Sequence, residues 1–108
     1  MSKSEAAIKA EILLYLSECR IFAWNNATGT ALSIDGSRRI SFGFPGSPDV
    51  IGVLPGGRFL GIETKSARGR QRDTQKIFQK RFEASGGLYI IARSVDDVRA
   101  ALGNEKKN

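Results

Sequence analysis

Two acids and a lysine, Asp49, Glu63 and Lys65, stand out in this 108-residue chain as a candidate reactive set. Residues 49–54 and 58–65 are rich in β-branched and large apolar side chains and flank the turn-forming Pro55-Gly56-Gly57, the pattern of a β-hairpin. A three-residue turn that pairs Leu54 with Arg58 sets Asp49 directly across from Glu63. Like charges so placed, with Cβ atoms roughly 4.5–5.5 Å apart, are destabilising unless something neutralises them. A divalent cation is the natural neutraliser. Strand alternation turns Lys65 to the same face and Thr64 away from it, leaving the Thr64 carbonyl near the site. Two carboxylates and an amine around one point are a setting for metal-assisted chemistry. The arrangement depends on register, because a slip of one residue sends one acid to the other face.

The composition narrows that chemistry. Histidine is absent, which removes Ser-His-Asp and Cys-His mechanisms and HExxH zinc sites. Cys19 is the sole cysteine, so there is neither an internal disulfide nor a zinc cluster; it falls on an apolar helical stripe and is expected to be a buried small hydrophobe. Any metal would sit among carboxylates and carbonyls, which suit Mg2+ or Mn2+. Lys and Arg total 17 against 11 acids, a net charge of +6. Seven basic residues and one acid between Lys65 and Arg81 account for that whole excess. Such a concentrated positive field attracts a polyanion, with nucleic acid the leading partner, although a solvated helix face also carries such charge runs. No apolar run approaches the roughly 20 residues of a membrane helix, and the N-terminus lacks a signal-peptide pattern. The expectation is a cytoplasmic protein without membrane association.

Hydrophobic periodicity defines the secondary structure around these residues. Residues 4–19 place Ile8, Ile12, Tyr15, Leu16 and Cys19 at helical spacing. Residues 22–39 are turn-rich, with a short strand expected near 31–34, and strand character resumes over 40–44 before Pro45-Gly46-Ser47-Pro48. After the hairpin, a helix is predicted over 70–85, with Ile77, Phe78 and Phe82 on one face and Gly86-Gly87 as its stop. Residues 88–92 read as a buried strand, and 95–102 as a short helix capped by Ser94. The order is α-β-β-β-α-β-α in one domain over 1–103, followed by a polar tail, 104–108.

Glu5 lies only about 35° from the centre of the first helix's apolar stripe and so points inward, a candidate third acid. Ser2-Lys3-Ser4-Glu5 also matches a capping box, in which the glutamate merely satisfies a backbone N–H. Trp24 could stack on a base but is expected to close the core. Arg68, Arg70, Arg72 and Lys76 follow Lys65 closely and are candidate phosphate contacts, as is Asn26, although asparagines in turns usually serve backbone geometry.

Pro48-Asp49 followed by Glu63-Thr64-Lys65 resembles the PD-(D/E)xK nuclease motif. The wider pattern is similar to the virus-type replication-repair nuclease (VRR-NUC) domain. Its matching features are Glu5 in an N-terminal helix, Trp24-Asn25-Asn26, the run from Gly43 to Asp49, Glu63-Thr64-Lys65, and Gln75 ahead of Gly86-Gly87. The resemblance covers nearly the whole chain and implies an α/β, restriction-endonuclease-like core with a mixed central sheet flanked by helices. It implies a divalent-metal-dependent DNA endonuclease with Glu5, Asp49, Glu63 and the Thr64 carbonyl around Mg2+ or Mn2+ and Lys65 near the attacking water. Gln75 would lie near the site, though its helical angle equally fits a rim position. Stand-alone members of the family are similar to Holliday-junction resolvases, which implies a homodimer acting on branched DNA such as four-way junctions. The competing readings are a non-catalytic basic nucleic-acid-binding module and a sequence-specific restriction-type nuclease.

Overall fold

The computed structural model describes residues 3–106. The elements run α1 (Glu5–Glu18), β1 (Phe22–Asn25), β2 (Gly29–Leu32), β3 (Arg39–Phe42), β4 (Val50–Val53), β5 (Phe59–Thr64), α2 (Asp73–Ala84), β6 (Leu88–Ala92) and α3 (Val95–Lys106). Four strands form a mixed sheet in the order β1-β4-β5-β6, with only β5 and β6 parallel. The pair β2-β3 forms a separate antiparallel ribbon. An α/β fold with a mixed sheet and three helices is therefore present among the described residues; β1 is an added strand in the stretch read as turn-rich, and β2 lies two residues earlier than the strand expected near 31–34.

One face of the sheet carries the core. Ile8, Ile12 and Leu16 of α1 and Val98 and Leu102 of α3 pack on Val50, Leu60, Ile62, Ile90 and Ala92. Burying each of the larger aliphatic side chains contributes about 1.5–3 kcal/mol. Ser4 caps α1 by accepting the Ala7 N–H at 3.1 Å, so Glu5 is not needed for a capping box; Ser2, the other cap candidate, lies outside the described residues. Ser94 accepts the Asp97 N–H at 3.4 Å at the start of α3, as expected. That helix runs on to Lys106, past its predicted end, so most of the expected tail is helical; 107–108 lie outside the described residues.

The opposite face is only partly covered. α2 packs on β6 through Phe82, whose ring meets Tyr89 edge-on at 6.2 Å between centroids. Gly61 and Gly87 admit that ring: a Cβ on either would fall 3.3 Å and 2.4 Å, respectively, from Phe82 Cε2. Among the described residues no element covers the β1 end, so Trp24 is exposed beside Phe22 instead of closing the core. β1 is an edge strand, and its face toward α2 extends beyond that helix. Ile77 is likewise exposed, on the outer side of α2. Cys19 is exposed too, because α1 ends beyond Leu16 and the chain turns away at Arg20, whose φ is 59°.

Candidate active site

The hairpin register is the expected one: Val50 pairs with Ile62 and Val53 with Phe59, which continues to Asp49 opposite Glu63. Asp49 stands one residue before β4. There its carboxylate takes the place of the missing strand, with Oδ2 accepting the Thr64 N–H at 2.9 Å and the Thr64 hydroxyl at 2.5 Å. The alternation of strand groups puts the Thr64 carbonyl on this same side of β5. Thr64 thus acts through its N–H and side chain as well, which corrects the expectation that its side chain would only face away.

The loop leading to Asp49 is fixed from two directions. The Asn26 amide donates to Ser47 Oγ at 2.8 Å and to the Pro48 carbonyl at 2.9 Å, while its backbone N–H donates to the Asp49 carbonyl at 2.7 Å. Both amide hydrogens are engaged within the fold, so Asn26 positions Asp49 and is not available to donate to a phosphate. Gly46, with φ of 80°, lies against the first turn of α2, where a Cβ would come within 2.4 Å of the Thr74 carbonyl oxygen. Only glycine fits that contact.

Glu63, Thr64 and Lys65 are 3%, 2% and 7% exposed, although two of the three carry formal charges. Glu63 Oε2 is buried without a hydrogen-bond partner among the described residues. Burial first, and the neighbouring Asp49 carboxylate second, push the Glu63 carboxyl up to about 8, against the pull of Lys65 and Arg72. A buried carboxylate in that position requires a proton or a cation. The oxygens around it suit Mg2+ or Mn2+, which binds through one or two carboxylates and completes its shell with waters and substrate phosphates.

The three-acid set of Glu5, Asp49 and Glu63 is not assembled. Among the described residues no three His, Cys, Asp or Glu side chains gather at one point. Glu5 Oε1 instead accepts the Ser66 N–H at 3.4 Å, because the first turn of α1 abuts the loop after β5. Gln75 is buried, and its Oε1 accepts the Arg72 N–H at 2.8 Å, closing the first turn of α2. It supports the site's wall and is not a rim residue.

Three site residues have no motif to reveal them. Tyr89 lies beside Gly61 in the parallel register, on the Glu63 face of the sheet, and its hydroxyl is pushed well above the ordinary tyrosine value by burial and then by the Glu63 charge. Gln71 Nε2 donates to Gln79 Oε1 at 2.9 Å and reaches the Tyr89 hydroxyl at 3.5 Å. Arg93 Nη1 donates to the carbonyls of Ser66 and Gly69 at 2.6 and 2.7 Å, tying down the basic loop. The period-two alternation of β6 is the one signal that could have marked Tyr89. Arg68, Arg70, Arg72 and Lys76 are all exposed along that loop and the first turn of α2. No helix among the described residues is long and apolar enough to cross a membrane. No family model, curated protein or solved structure matches the chain.

Proposed function

We propose that the protein is a divalent-metal-dependent DNA endonuclease that hydrolyses phosphodiester bonds, built on a PD-(D/E)xK core of the VRR-NUC kind. The observation that carries this reading is the buried, unpartnered Glu63 Oε2 set against Asp49 on the face shared with Lys65. Asp49 and Glu63 would hold Mg2+ or Mn2+, with the Thr64 carbonyl as a further ligand. When bound, such a cation supplies charge stabilisation at the scissile phosphate and a lowered pKa for attacking water. The chain's own residues do the rest. Thr64 fixes Asp49 through Oδ2. Lys65 provides a positive charge that orients water and offsets the negative charge developing on the phosphoryl oxygens. Arg68, Arg70, Arg72 and Lys76 take flanking phosphates and hold the strand in register with the site.

A chain of this size offers one such site, and cutting both strands of a branched DNA takes two. A homodimer acting on four-way junctions therefore fits best. The test is strand cleavage with Mn2+, Mg2+ or EDTA on a four-way junction, a flap, a duplex and a single strand, with Lys65→Ala as control. Metal-dependent paired nicks confined to the junction are expected. Cleavage of every substrate would keep the nuclease and discard the preference for junctions. Tight DNA binding that is indifferent to EDTA, without cleavage, would assign the chain to the non-catalytic basic modules.

A further inference from the structure

We propose that the β2-β3 ribbon is a DNA-engaging arm, with Arg38 and Arg39 on phosphates and Ile34 entering the base stack; this rests on the nuclease reading and adds to it a specificity element. Every residue of both strands is exposed, so the ribbon stands clear of the body. The radius of gyration is 14.9 Å, against about 13 Å for a compact chain of this length. The ribbon springs from the site itself, since its two ends join Asn26 and the Ser47-Pro48-Asp49 segment that Asn26 holds. An isolated two-stranded ribbon is marginally stable in water, yet this one ends in an ordered turn. Asp35 Oδ1 accepts from the Ser33 hydroxyl at 2.7 Å and from the Ser37 N–H and hydroxyl at 3.0 and 2.7 Å, and the Ser33 N–H donates to the Arg38 carbonyl at 2.9 Å.

That turn holds Ile34 fully exposed at the tip. Its one acid is turned to local donors, and neither Arg38 nor Arg39 forms an ion pair with a described residue. An aliphatic side chain on an ordered basic tip matches the apolar wedges that partly unstack base steps from the minor groove, and two-stranded ribbons are among the elements that proteins set into that groove. From Gly29 to Ile34 the arm reaches roughly 17 Å, about five base steps, from its root beside the carboxylates. The uncompensated arginines favour a polyanion over a second copy of a chain that is itself +6.

The test uses the full chain carrying Glu63→Gln, so that DNA is bound without being cut, and a labelled four-way junction containing 2-aminopurine within about five base steps of the expected cut. Replacing both Arg38 and Arg39 by alanine should weaken binding about tenfold and lower the slope of log K against log salt by about two. Ile34→Ser should leave that slope unchanged and abolish the rise in 2-aminopurine fluorescence. Circular dichroism should be unaltered, because all three side chains are exposed. Binding and slope unchanged in the arginine variant, with the Glu63→Gln protein still binding, overturn the arm and leave the nuclease standing. An equal fluorescence rise with and without Ile34 overturns the wedge. No DNA binding by the Glu63→Gln protein overturns both readings together. Loss of self-association in sedimentation, with DNA binding intact, would give the ribbon to a second copy instead.

Discussion

Glu63 concentrates the energetic tension of the site. Its folded value of about 8 stands above the ordinary 4.5, so between those values the folded chain keeps a proton that the unfolded chain has released. That contribution to stability is complete below about pH 4.5 and is lost as pH rises through about 8, at about 1.4 kcal/mol per unit of difference. Metal-free protein should therefore melt lower at pH 8.5 than at pH 6. Mn2+ should raise the melting temperature more at the higher pH, and Glu63→Gln should flatten both responses; equal melting at the two pH values would contradict this account. Thr64→Val keeps the N–H bond to Asp49 and removes the hydroxyl bond, an exchange of similar volume. It should leave the fold intact and weaken apparent metal affinity several-fold, read from cleavage rate against metal concentration.

At the level of elements, the site is a junction between a strand that ends early and a strand that continues. β4 begins only after Asp49 while β5 runs through Glu63 and Thr64, and the aspartate carboxylate occupies the vacant ladder position. Asn26 fixes where that happens, from the end of β1. Asn26→Ala removes two side-chain hydrogen bonds, to Ser47 and Pro48, at a cost of about 1–3 kcal/mol. Chemical denaturation should show that loss, and cleavage should fall while DNA affinity, which comes from other residues, holds. Arg93 does for the basic loop what Asn26 does for the acidic one. Arg93→Met should leave melting little changed and speed hydrogen exchange at Gly69 and Arg70, whose neighbouring carbonyls lose their donor.

Across the whole molecule, the two sides of the sheet have divided duties. The α1-α3 side is packed; the other holds the charged site and leaves Phe22, Trp24 and Phe59 exposed. Under the nuclease proposal, exposed Arg68 and Arg70 of the basic loop and Lys76 in the first turn of α2 should give DNA binding a strong salt dependence. Replacing these three by alanine should weaken binding to every substrate to a similar degree and lower the salt slope by about three. Under the proposed paired action, sedimentation at micromolar concentration should give a dimer, alone or with junction DNA; a monomer in both conditions would remove that part of the proposal.

The linear pattern of residues already carries the hairpin register, the Asp49-Glu63-Lys65 face, α1 and β6, because period-two and period-3.6 patterns and a Pro-Gly-Gly turn are local signals. It also located the basic segment, since charge is counted and not folded. β1 stayed hidden, and β2 begins two residues before its expected place, because both strands are short, mostly exposed and lack an apolar alternation, so pairing partners alone define them. The surroundings of the carboxylates were likewise decided in three dimensions. Asn26, Tyr89, Gln71 and Arg93 come from four separate segments, and burial of Glu63 without a partner arises only when the end of β5 is enclosed by the Asp49 loop, β6 and the start of α2. Glu5 shows the same division: its helical angle pointed inward, but the docking of α1 set its carboxylate on the Ser66 N–H and away from the paired acids.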